Sequence, residues 1–188
     1  DMLLYQTGLK LAANTNPIFD LNFKELQEQG KLTPIEAMRK QKEAELQFQA
    51  LKIHYDAGIA AIEQMKAAQA KLAQTPKDQQ DPVKAQIEQA GSSAVTELSA
   101  ALQLEKPEDP NRSIIMSRLG EAYESMGKWQ EAADTYQKAI ALKPDAAANY
   151  NNLGNDLAKL GKVDEARTAY QKYVELNPTD AALAWRNF

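Results

Sequence analysis

Between residues 44 and 72 the apolar positions step by four, then three. Positions 44, 48, 51, 55, 58, 62, 65, 69 and 72 carry Ala, Phe, Leu, Tyr, Gly, Ile, Met, Gln and Leu. This rhythm puts them in one stripe of a long helix, a coiled-coil seam with Gly58 and Gln69 as its weak positions. Thr33-Pro34-Ile35-Glu36 is a capping box with Pro at the first helical position. The helix is therefore expected to start at 34 and run to 74, about 60 Å at ~1.5 Å per residue. Asp81-Pro82 opens a partner helix with Val83, Ile87, Ala90, Ala94, Leu98 and Ala101 facing inward. "QTPKDQQDP" is the polar tip between the two. The spacing predicts an extended antiparallel pair over 34–106, with Gly58 opposite Ala90, Gly91 or Ala94.

Upstream, Leu4, Gly8 and Leu11 suggest a short helix ending near Asn14-Thr15-Asn16-Pro17, and Ile18 to Gln29 suggest another, closed by Gly30. Downstream the helical step continues in shorter pieces that occur twice. Met116, Leu119, Gly120 and Tyr123 lie on one helix face, and Ala132, Tyr136, Ala139 and Pro144 mark a second helix and its stop. The matching residues are Tyr150, Leu153, Gly154 and Leu157, then Ala166, Tyr170, Tyr173 and Pro178, at a period of 34 (150 − 116). Gly127 and Gly161 fall where each first helix must end and turn. Gly120 with Ala132, and Gly154 with Ala166, are small enough for two antiparallel helices to approach closely. No segment alternates apolar and polar residues, so no strand is expected.

This pattern resembles the tetratricopeptide repeat, whose signature is W-x2-L-G-x2-Y…A-x3-F…P. "NNLGN" (Asn151–Asn155) is close to the consensus. Met116 and Tyr150 stand in place of Trp, Tyr136 and Tyr170 in place of Phe, Leu157 in place of Tyr, and Tyr173 where the family has a small residue. The resemblance implies an all-α fold: a superhelical solenoid of helical hairpins, preceded here by the extended pair. The expected layout is short helices over 1–33, a stretched and degenerate first repeat over 34–112, repeats over 113–146 and 147–180, and the start of a further repeat or cap over 181–188. The stretch is visible in the spacing. Ala94, Leu98 and Ala101 are placed as Ala132, Tyr136 and Ala139 are, yet the Gly-to-Ala distance is 36 (94 − 58) rather than 12 (132 − 120). Trp185 and Phe188 are three apart, as Trp and Leu are in the family pattern. With Asp rather than Met first, the chain reads as a piece of a longer array.

Composition adds constraints. Hydrophobic residues make up 44% and charged residues 26%, with eight Gly and eight Pro in 188 residues, which favours helix. Net charge is −4, so no global basic field draws nucleic acid. No apolar run reaches the length of about 18 residues that crossing a membrane requires. The absence of cysteine removes disulfides, thiolate nucleophiles and most structural zinc schemes. It is compatible with the cytoplasm and with a bacterial cell envelope alike.

Candidate chemistry is sparse. His54 is the single histidine, and Glu43, Glu45 and Asp56 near it make no HExxH-type ligand set. No GxSxG, Walker or GxGxxG pattern occurs. Ser92-Ser93 after Gly91 reads as a small-residue helix contact, and Glu97 and Glu105 as solvated carboxylates with Lys partners. Tyr123, Trp129, Tyr136, Tyr150, Tyr170 and Tyr173 lie at core spacing. No catalytic residue, metal site or cofactor is expected, and the chain is read as not an enzyme.

What remains is surface. In such arrays the first helices of the repeats line the concave side. Ser117, Glu121 and Glu124 on one copy and Asn151, Asn155 and Lys159 on the other flank the core stripe there. Asn side chains both donate and accept, so Asn151 and Asn155 suit the backbone of an extended peptide. Some members of the family clamp a terminal carboxylate with Lys, Asn and Arg. Ser117 and Glu121 occupy the corresponding lysine and asparagine places here, and Glu121 would repel a carboxylate, so that clamp is not expected. The expected function is a protein-interaction scaffold binding a protein or extended peptide, with no nucleic acid partner. The alternative is self-assembly through the long hairpin and a docking edge at Trp185 and Phe188.

Overall fold

The computed structural model describes Gly30 and residues 34–107 and 109–180. Among these are six α-helices and no strand: α1 (Pro34–Gln74), α2 (Asp81–Leu104), α3 (Arg112–Ser125), α4 (Trp129–Leu142), α5 (Ala147–Lys159) and α6 (Val163–Leu176). Single 3-10 turns follow α1 and α6, at Lys77–Gln79 and Pro178–Asp180. The helices expected before Gly30, and the Trp185–Phe188 segment, lie outside the described residues.

The chain forms two compact units that divide within α1, after Gln49. In the first, Ala37 is buried, Ala44 and Phe48 are half-buried, and Met38 and Leu46 face solvent. Arg39 pairs with Glu43 at 2.9 Å and Lys42 with Glu45 at 2.9 Å along the exposed helix surface. Such pairs contribute about 0.3–0.5 kcal/mol each.

The second unit begins at Ala50. α1 is a continuous helix of 41 residues, passing through Gly58 without a break. Its buried residues here are Leu51, Tyr55, Gly58, Ala61, Ile62 and Met65. α2 buries Val83, Gly91, Ala94, Leu98 and Ala101. The two run antiparallel, since contacts pair His54 with Glu97, Gly58 with Leu98 and Met65 with Gly91. The register differs from the expectation of small residue on small residue. Gly58 is covered by the Leu98 side chain, where a β-carbon would lie 2.6 Å from Cγ. The glycine thus receives a large knob. Gly91, not Ser92 or Ser93, makes the close contact: both serines are exposed, whereas Gly91 lies under Met126 and Met65.

The two repeats are built alike. Each first helix ends in a glycine with positive φ, +72° at Gly127 and +75° at Gly161. The Lys128 amide donates back to the Tyr123 carbonyl and the Gly127 amide to Glu124, at 2.9 Å each. In the second copy Lys162 donates to Leu157 at 2.9 Å and Gly161 to Ala158 at 3.1 Å. This is the Schellman closure, which satisfies the carbonyls orphaned at a helix end. The chain reverses into the second helix, and the facing glycine accepts a tyrosine ring: Tyr136 on Gly120 and Tyr170 on Gly154. Both tyrosines are fully buried. A ring of that size removes roughly 150–250 Å² from water, so these two anchor the core. Ala132, Ala133, Leu153, Leu157, Ala166, Ala169 and Tyr173 join them in one cluster that runs through both repeats.

Candidate functional site

The first helices α1, α3 and α5 are joined across the repeats by polar contacts. From α1, Lys66 pairs with Glu121, and the Gln69 amide donates to the Ser125 carbonyl at 2.6 Å. Tyr55 is hydrogen-bonded to Arg118. Between α3 and α5, the Ser117 hydroxyl lies 2.7 Å from the Asn149 side-chain oxygen and 2.7 Å from the Ser113 carbonyl.

The residues expected to face a partner divide by their engagement. Ser117 is half-buried in the contacts just described. Glu121 accepts from Lys66 and, at 3.1 Å, from Arg118. Burial alone would raise its carboxyl, but Lys66 and Arg118 outweigh this and hold it below the usual range. Glu124 accepts from the Tyr136 hydroxyl at 3.3 Å, and burial, followed by the charge of Glu121, pushes its carboxyl up. Asn155 accepts from the Tyr170 hydroxyl at 2.7 Å, which leaves its amide hydrogens to donate elsewhere. Asn151 is half-buried and Lys159 exposed.

Four contributors escaped the sequence reading. Lys66 and Asn149 carry no local signal, because each meets its partner only when helices stack, and Arg118, three residues before Glu121 on α3, reaches Tyr55 only in the same way. The fourth is Asp156, fully buried on α5, with no hydrogen-bond partner among the described residues for either carboxylate oxygen. A signal for it did exist. One period earlier (156 − 34 = 122) stands Ala122, buried to the same degree. A carboxyl therefore occupies a position that the fold fills with a methyl group. Burial, with the charge of Glu124 adding to it, pushes the Asp156 carboxyl up to about 8. The charge of Asp156 also reaches the hydroxyls of Tyr136 and Tyr170, both raised mainly by burial.

Elsewhere, the His54 Nδ1 lies 2.7 Å from Glu97 Oε2, tying α1 to α2. Glu97 thus meets a histidine, not the lysine expected for it. Glu105 is half-buried, and burial, then Asp109, raises its carboxyl. A shallow groove of about 500 Å³ between α1 and α2 is lined by Gln64, Lys71, Gln86, Gln89 and small residues. Among the described residues no helix is long and apolar enough to cross a membrane. No group of three or more His, Cys, Asp or Glu among them could hold a metal ion.

Comparison with known proteins places the repeats. A family described as TPR repeat matches residues 120–160, and one described as Tetratricopeptide repeat matches residues 147–180. No curated protein matches the chain. Among solved structures, the chain is similar to TTC0263, a thermophilic TPR protein of Thermus thermophilus. The two are 20% identical over 97% of this chain and 94% of that one, with a TM-score of 0.50. It also matches a crystal structure of MamA at 22% identity over 65% of this chain and 75% of that one, with a TM-score of 0.44. MamA from Desulfovibrio magneticus matches at 18% identity, 88% and 97% coverage and a TM-score of 0.43. Residues 120–180 thus carry tetratricopeptide repeats, set in an all-α fold of helical hairpins with a glycine–tyrosine contact in each.

Proposed function

We propose that the face formed by α3 and α5 binds an extended segment of a protein partner, and that the chain is a scaffold rather than a catalyst. The observation that carries this is the row of side-by-side first helices. Polar contacts between Lys66 and Glu121, and between Ser117 and Asn149, fix their spacing, so Glu124, Asn151, Asn155 and Lys159 are presented from a rigid base. A pre-ordered surface loses less entropy on binding than a mobile one. Asn155, its oxygen committed to Tyr170, offers donors suited to the carbonyls of an extended backbone. Residues 34–112 belong to the same reading as a stretched first repeat. The test is an NMR titration with peptides selected from an unbiased display library. Amide shifts should concentrate on α3 and α5, and Asn151→Ala with Asn155→Ala should weaken binding about tenfold, equivalent to ~1.4 kcal/mol. Shifts confined to α4 and α6 would contradict it.

A second reading is self-assembly through the long hairpin and a docking edge at Trp185 and Phe188. The solvent-facing Ile53, 67% exposed on α1, favours it. Sedimentation across a concentration series, with and without residues 60–92, separates the two: a mass that rises with concentration and is lost on deletion supports assembly.

A further inference from the structure

The glycine that each first helix presents to a large side chain puts the three hairpins in one register: Gly58 under Leu98, Gly120 under Tyr136 and Gly154 under Tyr170. Five residues before that glycine, one before it and two after it stand Ile115, Leu119 and Ala122 on α3, and Asn149, Leu153 and Asp156 on α5. All of these are buried. This is the face on which each helix receives the hairpin before it. α2 packs on α3, Leu153 shares a cluster with Ala133 and Tyr136 of α4, and Asn149 meets Ser117 of α3. At the same three places α1 carries Ile53, Ala57 and Ala60, and here they are exposed, Ile53 to 67%. The stripe continues at the four-three step through Gln64, Ala67 and Lys71, which also line the groove beside α2. It is about 27 Å long at ~1.5 Å per residue.

We propose that this stripe of α1, from Ile53 to Lys71, docks an amphipathic helix of a different protein. The helix runs antiparallel to α1, turns large apolar side chains toward Ala57, Ala60 and Ala67, and sets a basic residue beside Glu63 and an acidic one beside Lys71. The direction follows from the matched faces: each is covered by the helix just before it in the chain, α2 for α3 and α4 for α5, which returns through a short loop. The large side chains follow from how this fold fills its small-residue rows, with Leu98 on Gly58 and Met126 on Gly91. The charges follow from the border of the stripe. Asp56 and Lys66 are paired with Lys52 and Glu121, whereas Glu63 and Lys71 are exposed and join no ion pair among the described residues. In an antiparallel helix the acidic residue then lies nearer the N-terminus than the basic one, as the helix dipole favours. A second copy fits less well. Pairing α1 antiparallel with itself over this stripe centres on residue 62, midway between 53 and 71, and sets Glu63 against Glu63 of the other copy, a like-charge contact. The inference is independent of the groove reading on α3 and α5, and it gives Ile53 to a foreign helix where the self-assembly reading gives it to a copy of the chain.

The probes are two peptides of about five turns, held helical by a hydrocarbon staple on the outer face, with leucine at the inward positions. One carries Glu and Arg placed to meet Lys71 and Glu63, and the other has the two exchanged. Titration into the full chain, followed by NMR, should move the amides of residues 53–71 and leave α5 and α6 unmoved. The matched peptide should bind about tenfold tighter than the exchanged one. Glu63→Lys with Lys71→Glu should invert that preference, and Ala60→Arg, at an exposed position, should abolish binding of both. Equal affinities, or a preference that the paired reversal leaves unchanged, overturn the proposal. So do shifts confined to α3 and α5, or no binding at all. A sedimenting mass that rises with concentration and that Ala60→Arg returns to monomer gives the face to a second copy. Nuclear Overhauser contacts from Ile53 to residues 1–29 in the free chain give it to the chain's own N-terminal segment. Either result overturns the foreign helix, and the groove reading outlives all of these failures, since its own peptides are read on α3 and α5.

Discussion

The ring of Tyr136 lies on the α-carbon of Gly120, so close that a β-carbon there would stand 2.8 Å from two ring carbons. Tyr170 sits on Gly154 in the same way, with the nearest ring carbon at 2.7 Å. Neither ring can withdraw, since each is fully buried and its hydroxyl is bonded, to Glu124 and Asn155 respectively. Gly120→Ala and Gly154→Ala gain up to ~1 kcal/mol of helix propensity but incur overpacking of about 1–3 kcal/mol. Each is expected to lower stability by roughly 1–2 kcal/mol in urea denaturation. A stabilised variant would show that the ring yields.

Gly127 and Gly161 are constrained by conformation rather than space. A β-carbon on Gly161 would meet nothing within 4 Å, yet φ is +75°. Gly161→Ala should therefore cost about 1–2 kcal/mol from backbone strain alone. Gly161→Asn should cost visibly less, because Asn enters the left-handed region more readily. Equal losses for the two would point to some contact other than strain.

Stability should depend on pH through Asp156. Its folded carboxyl is raised from 3.8 to about 8, so the folded state holds a proton that the unfolded chain has already released. The unfolding free energy should fall as pH rises from about 4 to 8 and level off above, by up to a few kcal/mol. Asp156→Ala should flatten this slope and raise stability at pH 9. Glu121 acts in the opposite sense at lower pH: its carboxyl is lowered in the fold, so its contribution is present above 4.5 and lost as acid protonates it. Denaturation series of both proteins at pH 5, 7 and 9 check the first effect, and a series below pH 4.5 the second. Parallel curves for wild type and Asp156→Ala would rule out the assignment.

Ser113→Ala should cost only about 1 kcal/mol, although Ser113 is buried and its hydroxyl donates to the Ala139 carbonyl at 2.9 Å. That carbonyl also accepts the Lys143 amide at 3.0 Å, so no orphan is left behind. The second copy already carries Ala147 at the matching place (113 + 34). A thermal shift of many degrees would contradict this.

The sequence by itself determined what depends on local rules and on repetition. The four-three step along α1 marked Leu51, Tyr55, Ile62 and Met65 as buried, because a helix turns that spacing into one face. Gly127 and Gly161 marked the helix ends, because few other residues enter the left-handed conformation readily. The 34-residue period predicted two like hairpins, and α3–α4 and α5–α6 form them, because the same local pattern twice folds in the same way twice. Only the tertiary structure decided which faces meet. Gly58 takes Leu98 rather than a small residue, since register between two long helices is fixed by side-chain shape along the whole seam. Lys66 reaches Glu121 across 55 positions of chain, which no periodicity contains. Asp156 was visible as a residue that breaks the match with Ala122. That it is sealed from water, near the charge of Glu124 and without a partner among the described residues, depends on helices from both repeats closing around it.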